Sequence, residues 1–248
     1  MARLVSAIAI WLSLAAPVSG ETRDLLFIGN SFTRYWGVAN MVSQLARTAL
    51  PGDEIIATDI SENGMTLDWH VHEGDALGTV SAGPWDAVIL QDFSDVALVL
   101  EKRDASQVAA GRIAAQGAGD KLVFFAPWAP GRVPPEARPA ATLAIEDHYR
   151  ALAAANGGAV APVGRAFRVA LAAGYPEALR APDDHHATVE GAYLAALVIA
   201  ATLFGADRVL APGSAGWRPD GVADQNAERL RGYARRALAE YNGTIPES

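Results

Sequence analysis

The stretch FIGNSFTRYW, residues 27–36, begins as a buried strand and ends as a helix, with Gly29, Asn30 and Ser31 where the period changes. A small polar cluster at that point has two uses. It can turn the chain and cap the helix, or it can hold a serine nucleophile at the mouth of a site. The choice depends on what the other strands carry at the same end.

Working outward, strand-like runs alternate with helix-like ones. DLLFIGN (24–30), EIIATDIS (54–61), WDAVILQD (85–92), KLVFFAPW (121–128) and GAVAPVG (158–164) read as strands. Between and after them, helical patterns run over 37–50, 103–119, 137–157, Thr188 to Phe204, and 224–242. Strands that alternate with helices predict an α/β protein with a parallel sheet covered on both faces. Five strands suit a three-layer αβα sandwich of flavodoxin-like type. The Gly- and Pro-rich segment 205–224 reads as a surface loop.

Composition narrows the class. The chain has 248 residues, 51% of them hydrophobic, enough for one ordinary α/β domain over residues 21–248. Its net charge is −8 and its Lys and Arg are scattered, so nucleic acid is an unsuitable partner. There is no cysteine, which excludes disulfides, thiolate metal sites and Cys nucleophiles. Residues 1–20 have one Arg, an apolar run and small residues before Glu21, the layout of a secretory signal peptide. The apolar run is shorter than the roughly 20 residues a membrane span needs. A secreted or periplasmic protein, not inserted in a membrane after signal removal, is the expectation. The apolar run GAYLAALVIAATLFG reads as a buried helix for the same reason of length.

In parallel α/β sheets, ligands bind beyond the carboxyl ends of the strands. There the sequence places Gly29-Asn30-Ser31, then Ser61-Glu62-Asn63-Gly64, then Gln91-Asp92-Phe93-Ser94, then Pro127-Trp128, and finally PDDHHAT at 182–188. A serine needs a base, and the base an orienting acid. Asp183, Asp184, His185 and His186 compete for those roles. The Asp183–His186 spacing lets a carboxylate reach Nδ1 within one turn and leaves Nε2 for Ser31. The oxyanion of an acyl intermediate needs donors. The Ser31 N–H at a helix start is one, and Gly64, where a glycine allows close backbone approach, is another.

With these blocks in hand, the sequence resembles the SGNH/GDSL hydrolase superfamily of serine esterases. FIGNSFT resembles its first block in a Gly-Asn-Ser form, with Asn30 where an Asp often stands. ENGMTL resembles the second, whose glycine is Gly64. PDDHHATVEGAYLAALVIAATLFG resembles the last, an Asp-x-x-His followed by a Gly-Ala-Tyr helix. Gly191, five positions beyond His186, sets a register that selects His186 and Asp183. The likeness runs from about residue 24 to 205. It implies the SGNH hydrolase fold and ester hydrolysis without a cofactor, through Ser31, His186 and Asp183. The substrate it implies is a short-chain, acetyl-type ester on a small molecule or glycan. Lysophospholipid or thioester hydrolysis, acyl transfer and glycan binding with little turnover are the alternatives. The third block departs from the pattern: in LQDFSD, Phe93 stands where the family has its donor Asn. Gln91 is the substitute expected in the oxyanion hole, or else a structural hydrogen bonder.

Other residues have plainer readings. His70 and His72, near Asp68 and Glu73, lack a metal-ligand spacing. Facing different ways on a helix, they suit a substrate rim better than a metal. Trp36 and Trp128 follow strand ends on the same edge and are candidates for that rim, or for packing. His148 lies on a helix and is expected to be exposed.

Overall fold

The computed structural model describes residues 20–175, 178–211 and 216–243. The expected signal segment, Gly20 apart, lies outside the described residues. The strands are β1 (Thr22–Ile28), β2 (Glu54–Asp59), β3 (Ala87–Leu90), β4 (Leu122–Phe125) and β5 (Ala159–Ala161). The α-helices are α1 (Ser31–Arg34), α2 (Val38–Ala49), α3 (Leu67–His72), α4 (Ala76–Ala82), α5 (Leu100–Ile113), α6 (Arg138–Asn156), α7 (Val163–Ala172), α8 (Val189–Phe204), α9 (Ala206–Val209) and α10 (Asp224–Tyr241). All strand pairs are parallel and the order is β2-β1-β3-β4-β5. The five expected strands are all present, in a three-layer αβα sandwich.

Period-2 alternation divides the strands between two cores. Leu25, Phe27, Ile89 and Phe125 face the layer of α2, α7, α8 and α10. Leu26, Ile28, Leu90 and Phe124 face the layer of α3 to α6. Apolar runs without polar alternation are what a sheet covered on both faces requires. The apolar helix at Thr188–Phe204 is α8, buried through most of its length against α2, α7 and α10. Among the described residues no helix is long and apolar enough to cross a membrane.

Three local readings are corrected. The helix expected over 103–119 starts earlier, at Leu100, and is α-helical only to Ile113; a π turn continues it over 114–118, where Gly117 takes a left-handed φ of 90°. Residues 205–224 contain α9 and bury Leu210 and Val222, so part of this loop belongs to the core. His148 is buried, with Nε2 3.4 Å from Ser106 Oγ, because α6 turns it toward α5.

The burial of His148 has a measurable consequence. Burial, helped by the positive charge of Arg103, pushes its pKa down to about 4 from an ordinary 6.5. Between those values the unfolded chain binds a proton that the folded chain refuses. The stability tied to neutral His148 is therefore complete above about pH 6.5 and is lost as the pH falls to about 4. The thermal midpoint should drop across this window, and His148→Gln should flatten the drop. An equally steep fall in the variant would refute the assignment.

The strand order also sets where a site can form. From β1 the chain runs outward to β2, then returns past β1 to β3. The switch point therefore lies between β1 and β3, where the helices leave on opposite sides and open a crevice. Ser31 follows β1 directly, and the Gln91–Phe93 segment follows β3.

Candidate active site

The loop after β1 is fixed from three sides. Asn30 caps α1, its Oδ1 accepting from Phe32 N–H at 3.1 Å. Its Nδ2 donates to the Met65 carbonyl at 3.2 Å, which ties the first block to the second. Its N–H donates to Gln91 Oε1 at 3.1 Å, which ties it to the third. The Gly29 carbonyl accepts from His70 Nε2 at 2.7 Å and from Glu62 N–H at 3.0 Å. A Cβ on Gly29 would lie 2.6 Å from Thr33 Oγ1 and 3.0 Å from Gln91 Oε1, so only glycine fits. Ser31 is thereby the first residue of a helix whose start cannot shift without breaking several buried bonds.

The last block closes on itself. Ala181 N–H donates to His186 O at 2.8 Å, and Asp184 N–H donates to Ala181 O at 2.8 Å. Asp184 takes a left-handed φ of 56°, a conformation that Asp tolerates better than most residues. Gly131 allows the loop to seat, since a Cβ there would meet Asp184 O at 2.4 Å. Gly191 is needed for a similar reason: its Cβ would lie 2.1 Å from Leu179 O. That contact is why a glycine stands five residues beyond His186.

The two loops meet across the crevice. Ser31 Oγ lies 2.9 Å from His186 Nε2, and His186 Nδ1 lies 2.6 Å from Asp183 Oδ2. Asp183 Oδ1 accepts from the His185 and His186 N–H groups, each at 3.0 Å. These bonds, the His186 side chain first, hold the Asp183 pKa down to about 2 although the carboxylate is half exposed. An ionised Asp183 takes the proton-bearing Nδ1 of His186 and turns a lone pair on Nε2 toward Ser31. Tyr35 stacks on the His186 ring, centroids 5.0 Å apart and planes 17° from parallel.

A cleft of about 410 Å³ opens over Ser31, lined by Tyr35, Asn63, Gly64, Phe93, His185 and His186. Gly64 has φ 76°, and a Cβ there would meet nothing within 4 Å. The glycine is required by its backbone angle in the 62–65 turn rather than by close approach. Neither Ser31 N–H nor Gly64 N–H has an acceptor among the described residues.

The structure thus brings together Ser31, Asp183, His186 and Gly64. It moves four other candidates. Gln91 is buried: its Oε1 accepts from Asn30 N–H and from Thr33 Oγ1 at 3.1 Å, and its amide donates to Asp92 O. The side chain braces the β1 loop from below and presents nothing to the cleft, so it leaves the oxyanion hole. His70 lies buried beneath the Gly29 carbonyl, not on the rim. Burial lowers its pKa and favours the neutral ring with its proton on Nε2. His72 points the other way, toward Arg112 at 2.8 Å. Trp128 is also buried, sandwiched between Phe32 and Phe167 with centroid distances of 4.4 and 4.2 Å. Its Nε1 donates to His185 O at 3.0 Å. Trp36 is exposed, as is His72, and the Trp36 Nε1 donates to Ala187 O at 2.8 Å.

Asp92 and Asp184, both named at the strand ends, complete the frame in roles that the sequence does not assign to them. Buried Asp92 accepts from Leu67 N–H at 2.9 Å and Phe93 N–H at 2.7 Å, joining the second block to the third. Asp184 pairs with Arg138, which anchors the last loop to α6. Neither role has a local sequence signal, because each partner comes from a distant element.

Comparison with solved structures places the fold. A DUF4886 family protein from Bacteroides uniformis superposes with TM-score 0.72 at 18% identity, over 92% of this chain and 98% of that one. A protein from Slackia heliotrinireducens assigned to the SGNH hydrolases superposes with TM-score 0.59 at 25% identity, over 74% of this chain and all of its own. The fold is that of the SGNH/GDSL hydrolases. The acetylxylan esterase Axe2 of Geobacillus stearothermophilus shares this SGNH fold with TM-score 0.60 at 18% identity, over 75% of this chain and 96% of its own. No protein-family model and no curated protein matches the chain.

Proposed function

We propose that the chain is an exported serine esterase that removes short acyl groups, acetyl foremost, from carbohydrate-like alcohols. The observation that carries the reading is the Ser31–His186–Asp183 relay, with 2.9 and 2.6 Å links across a crevice at the switch point. Ser31 Oγ attacks the ester carbonyl as His186 Nε2 takes its proton. The tetrahedral oxyanion is received by Ser31 N–H and Gly64 N–H. Collapse expels the alcohol, which takes the proton from His186 and leaves an acyl-Ser31. Water, deprotonated by His186, attacks that ester, and the acid departs as Ser31 regains its proton.

The hole has two backbone donors and lacks the family's side-chain amide, since Phe93 stands there and Gln91 points inward. One such donor is worth about 2.7–4 kcal/mol in the transition state, so this enzyme favours reactive or well-held esters. The substrate class rests on the small cleft, on aromatic Tyr35 and Phe93 within it and on exposed Trp36 near it. It also rests on likeness of fold to an enzyme that acts on acetylxylan. Export rests on the layout of residues 1–20.

A fluorophosphonate probe tests the reading. Adduct mapped to Ser31, and lost in His186→Ala, is the expected result. A folded protein that takes up no label would refute an activated serine.

A further inference from the structure

His185 lines the Ser31 cleft and takes no part in the relay. Its main chain is tied down at both ends. The N–H donates to Asp183 Oδ1 at 3.0 Å, and the carbonyl accepts from Trp128 Nε1 at 3.0 Å. The ring is held as well, tilted 55° to Phe32 with centroids 4.8 Å apart, and edge-on to His186 at 4.9 Å. Neither ring nitrogen has a hydrogen-bond partner among the described residues. Burial, and next the charge of a protonated His186 beside it, lowers the His185 pKa from an ordinary 6.5. A neutral imidazole offers one donor and one acceptor. That pair matches a hydroxyl group, which also both donates and accepts.

The strand order says which half of an ester this ring meets. Gly64 follows β2, on one flank of β1. Trp128, which holds His185, follows β4, on the other flank beyond β3. An acyl oxygen on the Ser31 and Gly64 N–H groups therefore lies toward the first flank. The leaving oxygen must lie at His186 Nε2, the group that protonates it, and His186 adjoins His185. Of the other polar side chains in the cleft, Tyr35 covers the face of His186, and Asn63 sits beside Gly64 on the acyl-oxygen side.

We propose that His185 is a specificity residue that hydrogen-bonds a free hydroxyl on the carbon next to the ester-bearing one, so that the preferred substrate is the monoester of a vicinal diol. The proposal rests on the esterase reading and narrows the alcohol within it. A ring already fixed by its neighbours loses little freedom when it binds. A site that bonds a hydroxyl rejects the analogue lacking one, because its own polar group is then left unpaired. His185 is partly open to water, so the discrimination should be about tenfold, below what a closed site reaches.

Hydrolysis of 2-hydroxyethyl acetate and of 2-methoxyethyl acetate, followed by pH-stat titration, tests this. The two alcohols are similar leaving groups, but the ether oxygen can only accept. Wild-type kcat/KM should favour the hydroxy ester by about tenfold. His185→Phe, which keeps a ring against Phe32 and has no polar side-chain atom, should bring the ratio near one. His185→Gln, which restores a donor and an acceptor, should keep part of the preference. Each ratio is taken within one enzyme, so a general disturbance of the relay cancels. Equal rates for the two esters in the wild type, or an undiminished ratio in His185→Phe, would overturn the role of His185 and leave the esterase reading standing. No turnover of either ester would also overturn the proposal, and fluorophosphonate labelling of Ser31 would then tell whether the esterase reading falls with it.

Discussion

Ser31→Ala is expected to lower the turnover of 4-nitrophenyl acetate by about ten thousand- to a million-fold without changing the fold. The hydroxyl lines the cleft and lies 2.9 Å from His186 Nε2, where its proton can pass to the imidazole. His186→Ala should cost about as much, because an unactivated serine is nearly as poor as none. The double variant should be no worse than either single one, since the two residues act as one unit. Asp183→Asn should cost about ten thousand-fold, by letting His186 adopt the wrong tautomer. Circular dichroism would establish that each variant folds, and steady-state kinetics would supply the rates. Ser31→Ala retaining a tenth of the activity, or single losses that multiply in the double variant, would refute the relay.

The parts of this site legible in the sequence are those fixed by chain connectivity. A strand end puts Ser31 at the sheet edge, a three-residue spacing puts Asp183 on His186, and the switch point puts both over the same crevice. The unreadable parts depend on which side chain arrives from another layer. Gln91 follows a strand as a donor would. Its direction, however, is set by Asn30 N–H and Thr33 Oγ1, two groups brought over from β1 and α1. Trp128 looked like Trp36 in its position after a structural element. It is buried because Phe167 stacks on it, and Phe167 belongs to α7, an amphipathic helix absent from the expected elements. Pro162 and Gly164 at its start belong to the expected fifth strand, GAVAPVG. In the structure Pro162 precedes the first turn, and Gly164 lets that turn approach the Pro127 carbonyl, where a Cβ would lie at 2.4 Å. His70 and His148 were misplaced for a related reason: a histidine on a short or half-polar helix gives no sign of which face is covered.

Trp128 is where the larger structural effect should appear. Its indole fills the space between Phe32, next to Ser31, and Phe167, within about 12° of parallel to each ring. Trp128→Ala removes that filling from a site that is 1% exposed, and a loss of about 3–5 kcal/mol in unfolding free energy is expected. Trp128→Phe keeps a stacked ring but deletes the Nε1–H bond to His185 O, so its stability cost should be near 1 kcal/mol. The two variants separate packing from positioning. The His185 carbonyl is adjacent to His186, and its anchor limits how far the imidazole can move from Ser31. Trp128→Phe should therefore lower kcat for a short ester several-fold while KM changes little, because the cleft walls are untouched. Urea unfolding and steady-state kinetics on both variants measure the two effects. A cost below 1 kcal/mol for Trp128→Ala would mean that the ring stack does not hold the loop. An unchanged kcat in Trp128→Phe would mean that the loop is held by Arg138 and Asp183 without the indole.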